Sequence, residues 1–237
     1  MEQQIEINFD RCLCIHSLLQ MLDVSLQTIF YDRGIIPEPY SLMQQNESNA
    51  ARKFCSSYRK LTETLRSTFR SHNRKIIEEV VVALGNTSYM PNEIYRIDVK
   101  PCSAHNEGSS PSNSSSCLDI CGELTKRDHL RVFKSIAIPS NSLTTVDSVG
   151  LSPLLGKRVK VFVMLRTSGK LVESIDGLQL DESYELPSAE KVKRLRIRTT
   201  RISHGKCPDD STTIDGDVKA NDENTIWHRL TNTISMV

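Results

Sequence analysis

Between residues 10 and 33 the apolar side chains Leu18, Leu19, Leu22, Leu26, Ile29 and Phe30 recur at steps of three and four, the spacing of one helix face. Gly34 is placed to close that helix, and Pro37 and Pro39 prevent its continuation, so IIPEPYSLM is expected to be an extended connector. A second helix is predicted over 48–73. There Phe54, Tyr58, Leu61, Leu65 and Phe69 are spaced 4, 3, 4 and 4, with Arg52, Lys53, Arg59, Lys60, Arg66 and Arg70 at polar positions.

The period then changes. Lys75 to Leu84 is rich in Ile and Val and predicts a strand buried on both faces. Gly85-Asn86 ends it, Pro91-Asn92 lies in the turn, and Glu93 to Val99 forms a partner strand packing through Ile94, Tyr95 and Ile97. A third helix is predicted from about Leu118 to Ile138, with Leu124, Leu130, Phe133 and Ile136 as its apolar positions and Pro139 as its stop. Strands are predicted at Lys157–Arg166, more weakly at Leu171–Leu180, and at Val192–Ile202, where Leu195 and Ile197 sit beside Arg194, Arg196 and Arg198. The tail places Ile226, Trp227, Leu230 and Ile234 together, so it is expected to dock rather than hang free.

Two stretches interrupt these elements. Residues 102–116 hold seven serines in fifteen positions, and 208–223 hold six acidic residues against Lys219 alone. Neither carries enough apolar area to pack, so a mobile loop and an acidic linker are expected inside a single domain spanning 1–237.

Composition then narrows the function. Thirty basic against twenty-nine acidic residues leave a net charge of +1, which favours neither nucleic acid nor an acidic membrane surface. No apolar run approaches the ~18 residues that span a bilayer, and the polar start MEQQIEINFDR is unlike a signal peptide. The seven cysteines are therefore expected to be reduced thiols. Cys12 and Cys14, and Cys117 and Cys121, lack a second pair at zinc-binding spacing, and no metal or other cofactor is expected.

Catalytic signatures are missing too. There is no phosphate-binding glycine loop, no nucleophile elbow and no zinc-protease helix motif, and Glu78-Glu79 in a strand should point to opposite faces. The stretch Lys191–Lys206 carries seven positive residues and no acidic one, which admits a nucleic-acid reading. It has no aromatic residue on which a base could stack, and a charged edge strand that resists aggregation explains it as well.

The order helix, P-x-P-Y connector, helix, apolar strand, polar turn and strand resembles the comet family, HORMA-like binding proteins of the spindle-checkpoint protein Mad-two. The residues that carry the resemblance are YDRGIIPEPYSL, ARKFCSSYRKL, VVVALGNTSYMPNEIYRIDV, LRVFKSI, SYELPS and IWH. It implies an α+β, HORMA-like fold: three helices on a mainly antiparallel sheet, followed by a C-terminal belt-like segment in which Ile226 and Trp227 occupy the place of a partner peptide. It also implies binding to closed Mad-two through Phe133, flanked by Leu130 and Lys134, with a second contact at Tyr31, Asp32 and Arg33. Asp32 departs from the family pattern, which has an uncharged glutamine. Around Leu180-Asp181, where the family offers Pro-Lys toward a Pch-two-type AAA+ ATPase, this chain differs as well. The implied role is non-enzymatic: disassembly of the mitotic checkpoint complex, in nucleus and cytoplasm and at spindle or kinetochore in mitosis. The rival readings are another HORMA-type protein that clasps a peptide (a polymerase subunit or a meiotic axis component) and a nucleic-acid module using 191–206.

Overall fold

A computed structural model describes residues 2–99, 122–137, 159–188, 190–192, 195–205 and 225–235. The serine-rich stretch 102–116, the acidic linker 208–223 and the first residues of the predicted third helix lie outside these. In chain order the elements are β1 (Glu2–Phe9), α1 (Ile15–Asp32), α2 (Tyr40–Met43), α3 (Asn49–Arg70), a 3-10 turn (His72–Ile76), β2 (Ile77–Gly85), β3 (Pro91–Asp98), α4 (Lys126–Ala137), β4 (Lys160–Thr167), β5 (Leu178–Leu180), β6 (Arg196–His204), β7 (Ile226–Leu230) and β8 (Ile234–Ser235). The class is α+β.

One sheet collects all the strands in the order β1-β6-β3-β2-β4-β7-β5, with β8 also paired to β4. It is mainly antiparallel; only β6 runs parallel to its neighbours, β1 and β3. β2 lies at the middle, with Val82 opposite Tyr95 of β3 and Val163 of β4. Its alternate residues feed two cores. Val80, Val82 and Leu84 join Tyr95, Ile97, Val163 and Leu165 beneath α1 and α3, while Val81 and Ala83 join Ile94, Met164 and Ile197 on the other face. That second face is closed by Tyr184 and Leu195, from the segment between β5 and β6, and by Trp227. The Tyr184 and Trp227 rings meet edge-on at 5.2 Å.

The helices end where local chemistry dictates. Gly34 takes φ 64°, and the Ile35 amide returns to the Phe30 carbonyl at 2.8 Å, closing α1 in the left-handed conformation that glycine adopts without strain. Ser48 caps α3 by accepting from the Ala51 amide at 3.1 Å. A Cβ on Gly85 would lie 2.7 Å from the Pro91 Cα, so only glycine fits where β2 turns into β3.

Several expectations are corrected. The first helix starts at Ile15, and the chain before it forms an unforeseen strand, β1, whose Ile5, Ile7 and Phe9 point into the core. The connector after α1 is not wholly extended: Ile35 and Ile36 are buried, and Tyr40–Met43 makes one helical turn, so three long helices are joined by a short fourth. The strand predicted at 171–180 shrinks to Leu178–Leu180 because the Asn73 side chain takes the backbone upstream. Its carbonyl oxygen accepts from the Val172 and Glu173 amides, and its amide donates to the Glu173 carbonyl at 2.9 Å. Glu78 and Glu79 do not diverge. A bulge between Ile77 and Glu79 brings both carboxylates to Arg166, at 3.2 and 3.1 Å. The basic strand is no edge: β6 is flanked on both sides, and Arg198 is buried over the Tyr95 ring.

The tail is part of this sheet, since β7 pairs with β4 and β5 and β8 pairs with β4. Trp227→Ala is expected to cost about 3–5 kcal/mol by the cavity it leaves. A chain truncated before Ile226 should lose its cooperative urea transition; retention of that transition would show that the sheet is complete without its last strands.

Candidate functional site

α4 is fixed at its start by a reciprocal cap. The Asp128 amide donates to the Thr125 hydroxyl at 3.1 Å, and the Asp128 carboxylate accepts from the Thr125 amide at 3.0 Å and from its hydroxyl at 2.7 Å. Arg11 adds an ion pair to the same carboxylate at 3.3 Å. Burial opposes the charge on Asp128, but the Thr125 hydrogen bonds, with Arg11 and Arg131, outweigh it and hold the carboxyl below its ordinary range. Gln20 of α1 accepts the Leu124 amide at 2.7 Å, and Arg131 donates to the Asn8 carbonyl at the end of β1. The helix is thus tied to α1, to β1 and to the loop between them.

The face α4 turns inward is Asp128, Val132 and Ile136, one residue per turn, and the buried Leu124 just before the helix continues the row. Leu130 and Phe133, the other apolar positions expected in this helix, do not join that row. They project from the opposite side, 51% and 42% exposed, with Lys134 beside them. Positions 130, 133 and 134 share one helix face, so the ring, the aliphatic chain and the ammonium form a single patch. Exposed Lys126 and Arg127 add positive charge along the same helix. The surface suits a protein partner with an apolar socket and an acidic border.

The second predicted contact divides. Tyr31 is 47% exposed at the end of α1, and Asp32 is half-buried with a carboxylate 3.4 Å from Arg33. Arg33 itself is corrected: its side chain is only 1% exposed and cannot reach a partner. Its Nε lies 2.8 Å from the Glu93 carboxylate and donates to the Tyr95 hydroxyl. Arg196 pairs with the same Glu93 at 3.2 Å. Burial first, and then Glu93, push the Tyr95 phenol well above its ordinary value, so it stays protonated and donates to Glu93 at 3.0 Å. This buried cluster joins the end of α1 to β3 and β6. Sequence reasoning missed it, because nothing in the spacing of residues 33, 93 and 95 announces the contact.

At the other end of the sheet, Leu180 is exposed while Asp181 is engaged by Arg229 at 3.7 Å and by the Tyr89 hydroxyl at 3.3 Å. Ile226 and Trp227, the predicted docking residues of the tail, lie in β7, with Trp227 buried against Tyr184. In the basic stretch, Arg196 and Arg198 are committed to Glu93 and Tyr95, while Lys193 and Arg194 lie outside the described residues. Among the described residues no helix is long and apolar enough to cross a membrane, and no group of three His, Cys, Asp or Glu side chains is placed to hold a metal.

No protein-family model matches the chain, and no curated protein matches it significantly.

The Thr-x-x-Asp cap was legible in LTKRD before the helix, and its role can be tested by acid. A carboxyl depressed in the folded state stabilises above the ordinary carboxylate range, and that stabilisation is lost as pH falls through the lower folded value. Asp128→Asn should therefore lower stability at neutral pH while narrowing the gap to the wild type in melts below about pH 4. A gap that stays constant over this range would show that the carboxylate does not anchor the helix. Phe133→Ala, by contrast, should leave the melting temperature almost unchanged, since the ring fills no core space.

Proposed function

We propose that the protein is a non-enzymatic adaptor of the comet type: a HORMA-like domain that binds the closed conformer of Mad-two through the exposed face of α4. With a Pch-two-type AAA+ ATPase it promotes disassembly of the mitotic checkpoint complex and so silences the spindle checkpoint. It acts in nucleus and cytoplasm and at the spindle or kinetochore in mitosis.

The observation that carries this reading is Phe133. A large ring 42% exposed on a helix whose opposite face is capped, ion-paired and buried is a preorganised anchor: it binds without first having to be ordered. Leu130 widens the apolar contact, and Lys134 supplies orientation and encounter rate more than affinity. An interface of ordinary size, roughly 800 Å² per side, extends well beyond these three residues and has room for Tyr31 and Asp32. The tail is consistent with the role of presenter rather than peptide clasp, since β7 and β8 already fill the sheet beside β4.

A pull-down against Mad-two locked closed and Mad-two locked open tests the proposal directly. Capture should be confined to the closed form and should fall by a factor of about thirty or more in Phe133→Ala, corresponding to a loss of about 2 kcal/mol. Equal capture of both conformers would overturn the reading, as would undiminished capture by the Phe133 variant.

A further inference from the structure

A groove of about 440 Å³ runs between α1 and α3, well away in sequence from Leu130 and Phe133, neither of which lines it. Its floor is formed by Leu19, Leu22, Leu26 and Leu65 with the rings of Tyr40 and Tyr58. The α3 rim carries Arg59, Arg66 and Arg70, all exposed and spread over about 16 Å of helix. None of the three forms an ion pair with any described residue. Arg66 and Arg70 are one turn apart, where like charges destabilise a helix. The whole of α3 carries six cations against Glu63 alone, in a chain whose net charge is +1. Among the described residues Asp23 is the one carboxylate lining the groove, held by the Tyr58 hydroxyl at 2.5 Å and by Gln27 at 3.0 Å, so one negative charge stands against three guanidinium groups on the rim. At the far end His16 faces Glu123 at 3.6 Å.

We propose that this groove binds an acidic, leucine-bearing peptide segment of a partner protein, with carboxylates on Arg59, Arg66 and Arg70 and apolar side chains on the leucine and tyrosine floor. The charge on the rim is complementary to carboxylates, and guanidinium groups pair with them bidentately. Shape separates this occupant from other polyanions. A bilayer surface is too flat to enter a valley between two helices and would leave the floor uncovered. A nucleic-acid backbone would bring phosphates but nothing to fill the aliphatic half of the lining; Tyr58 is buried, and the half-buried Tyr40 ring is already packed against Tyr58 and Phe54. Peptides laid into helical grooves use this combination of apolar floor and charged rim.

Selection from a displayed library of random dodecapeptides, followed by fluorescence anisotropy on the selected sequences, tests the proposal. Sequences combining Asp or Glu with Leu should be enriched on the wild type. Their affinity should fall at least tenfold on the triple variant Arg59→Glu, Arg66→Glu and Arg70→Glu, and fall again as salt rises. All three side chains are exposed, so the variant should keep its melting temperature; Arg66→Gln alone, which removes one charge without reversing it, gives a milder loss in the same direction. Selection of neutral or basic sequences, no selection at all, or equal binding of acidic peptides to both proteins would overturn the proposal. So would tighter, arginine-dependent binding of a DNA duplex or of phosphatidylserine vesicles. Phe133→Ala should leave peptide binding intact, so failure here with Mad-two capture preserved would count against the groove alone.

Discussion

Strand β2 gives its backbone to β3 on one side and to β4 on the other, and its side chains from Ile77 to Gly85 are almost all sealed from water. A strand apolar on both faces is stable only between two covering layers, because each uncovered Val or Leu would return about 1.5–3 kcal/mol to the unfolded state. The rest of the structure answers that demand. α1 and α3 supply one layer, with the rings of Phe30, Phe54, Tyr40 and Tyr58 meeting between them. The thinner second layer comes from segments far apart in the chain, Tyr184 and Leu195 before β6 and Trp227 in β7.

Against that apolar frame, the Arg33 cluster is the costly feature. Arg33, Glu93 and Arg198 are each at most 6% exposed, and the terminal nitrogens of Arg33 make no hydrogen bond. Burial lowers the pKa of Arg198, with the opposing pull of Tyr95 and Glu93 and the repulsion of Arg33 superimposed. Buried ions of this kind contribute little net stability as pairs, yet removing one partner strands the others, typically at 3–5 kcal/mol. The cluster therefore fixes geometry: it sets how the end of α1, and with it Tyr31 and Asp32, sits over β3 and β6.

The molecule keeps its two candidate contacts on rigid supports and apart in chemistry. The α4 patch is a projecting ring and aliphatic chain on a helix pinned by Thr125, Asp128, Gln20 and Arg131. The α1–α3 groove is concave, with exposed arginines along its rim. One offers a knob and the other a slot, so the two need not compete for the same partner segment.

Periodicity alone determined most of the elements, because burial on one helix stripe or on both strand faces leaves a mark every 3.6 or 2 residues. That held for α1, α3, β2, β3 and β4, and the alternation of Ile5, Ile7 and Phe9 marks β1 equally well within the polar start. The exposure of Leu130 and Phe133 was not legible by pattern, since they fall at spacings a core stripe would also use. Tertiary structure decided which side of α4 faces water, because only the placement of β1 and α1 makes Leu124, Val132 and Ile136 the inward row. It also decided the fate of the charges. Whether Arg33 is a surface contact or a buried counter-ion, and whether Arg198 lies at an edge or inside the sheet, depends on Glu93 and Tyr95 arriving from some sixty residues away in the one case and on β1 and β3 flanking β6 in the other. Local sequence encodes which side chains avoid water. It does not encode which distant neighbours will be there to receive them.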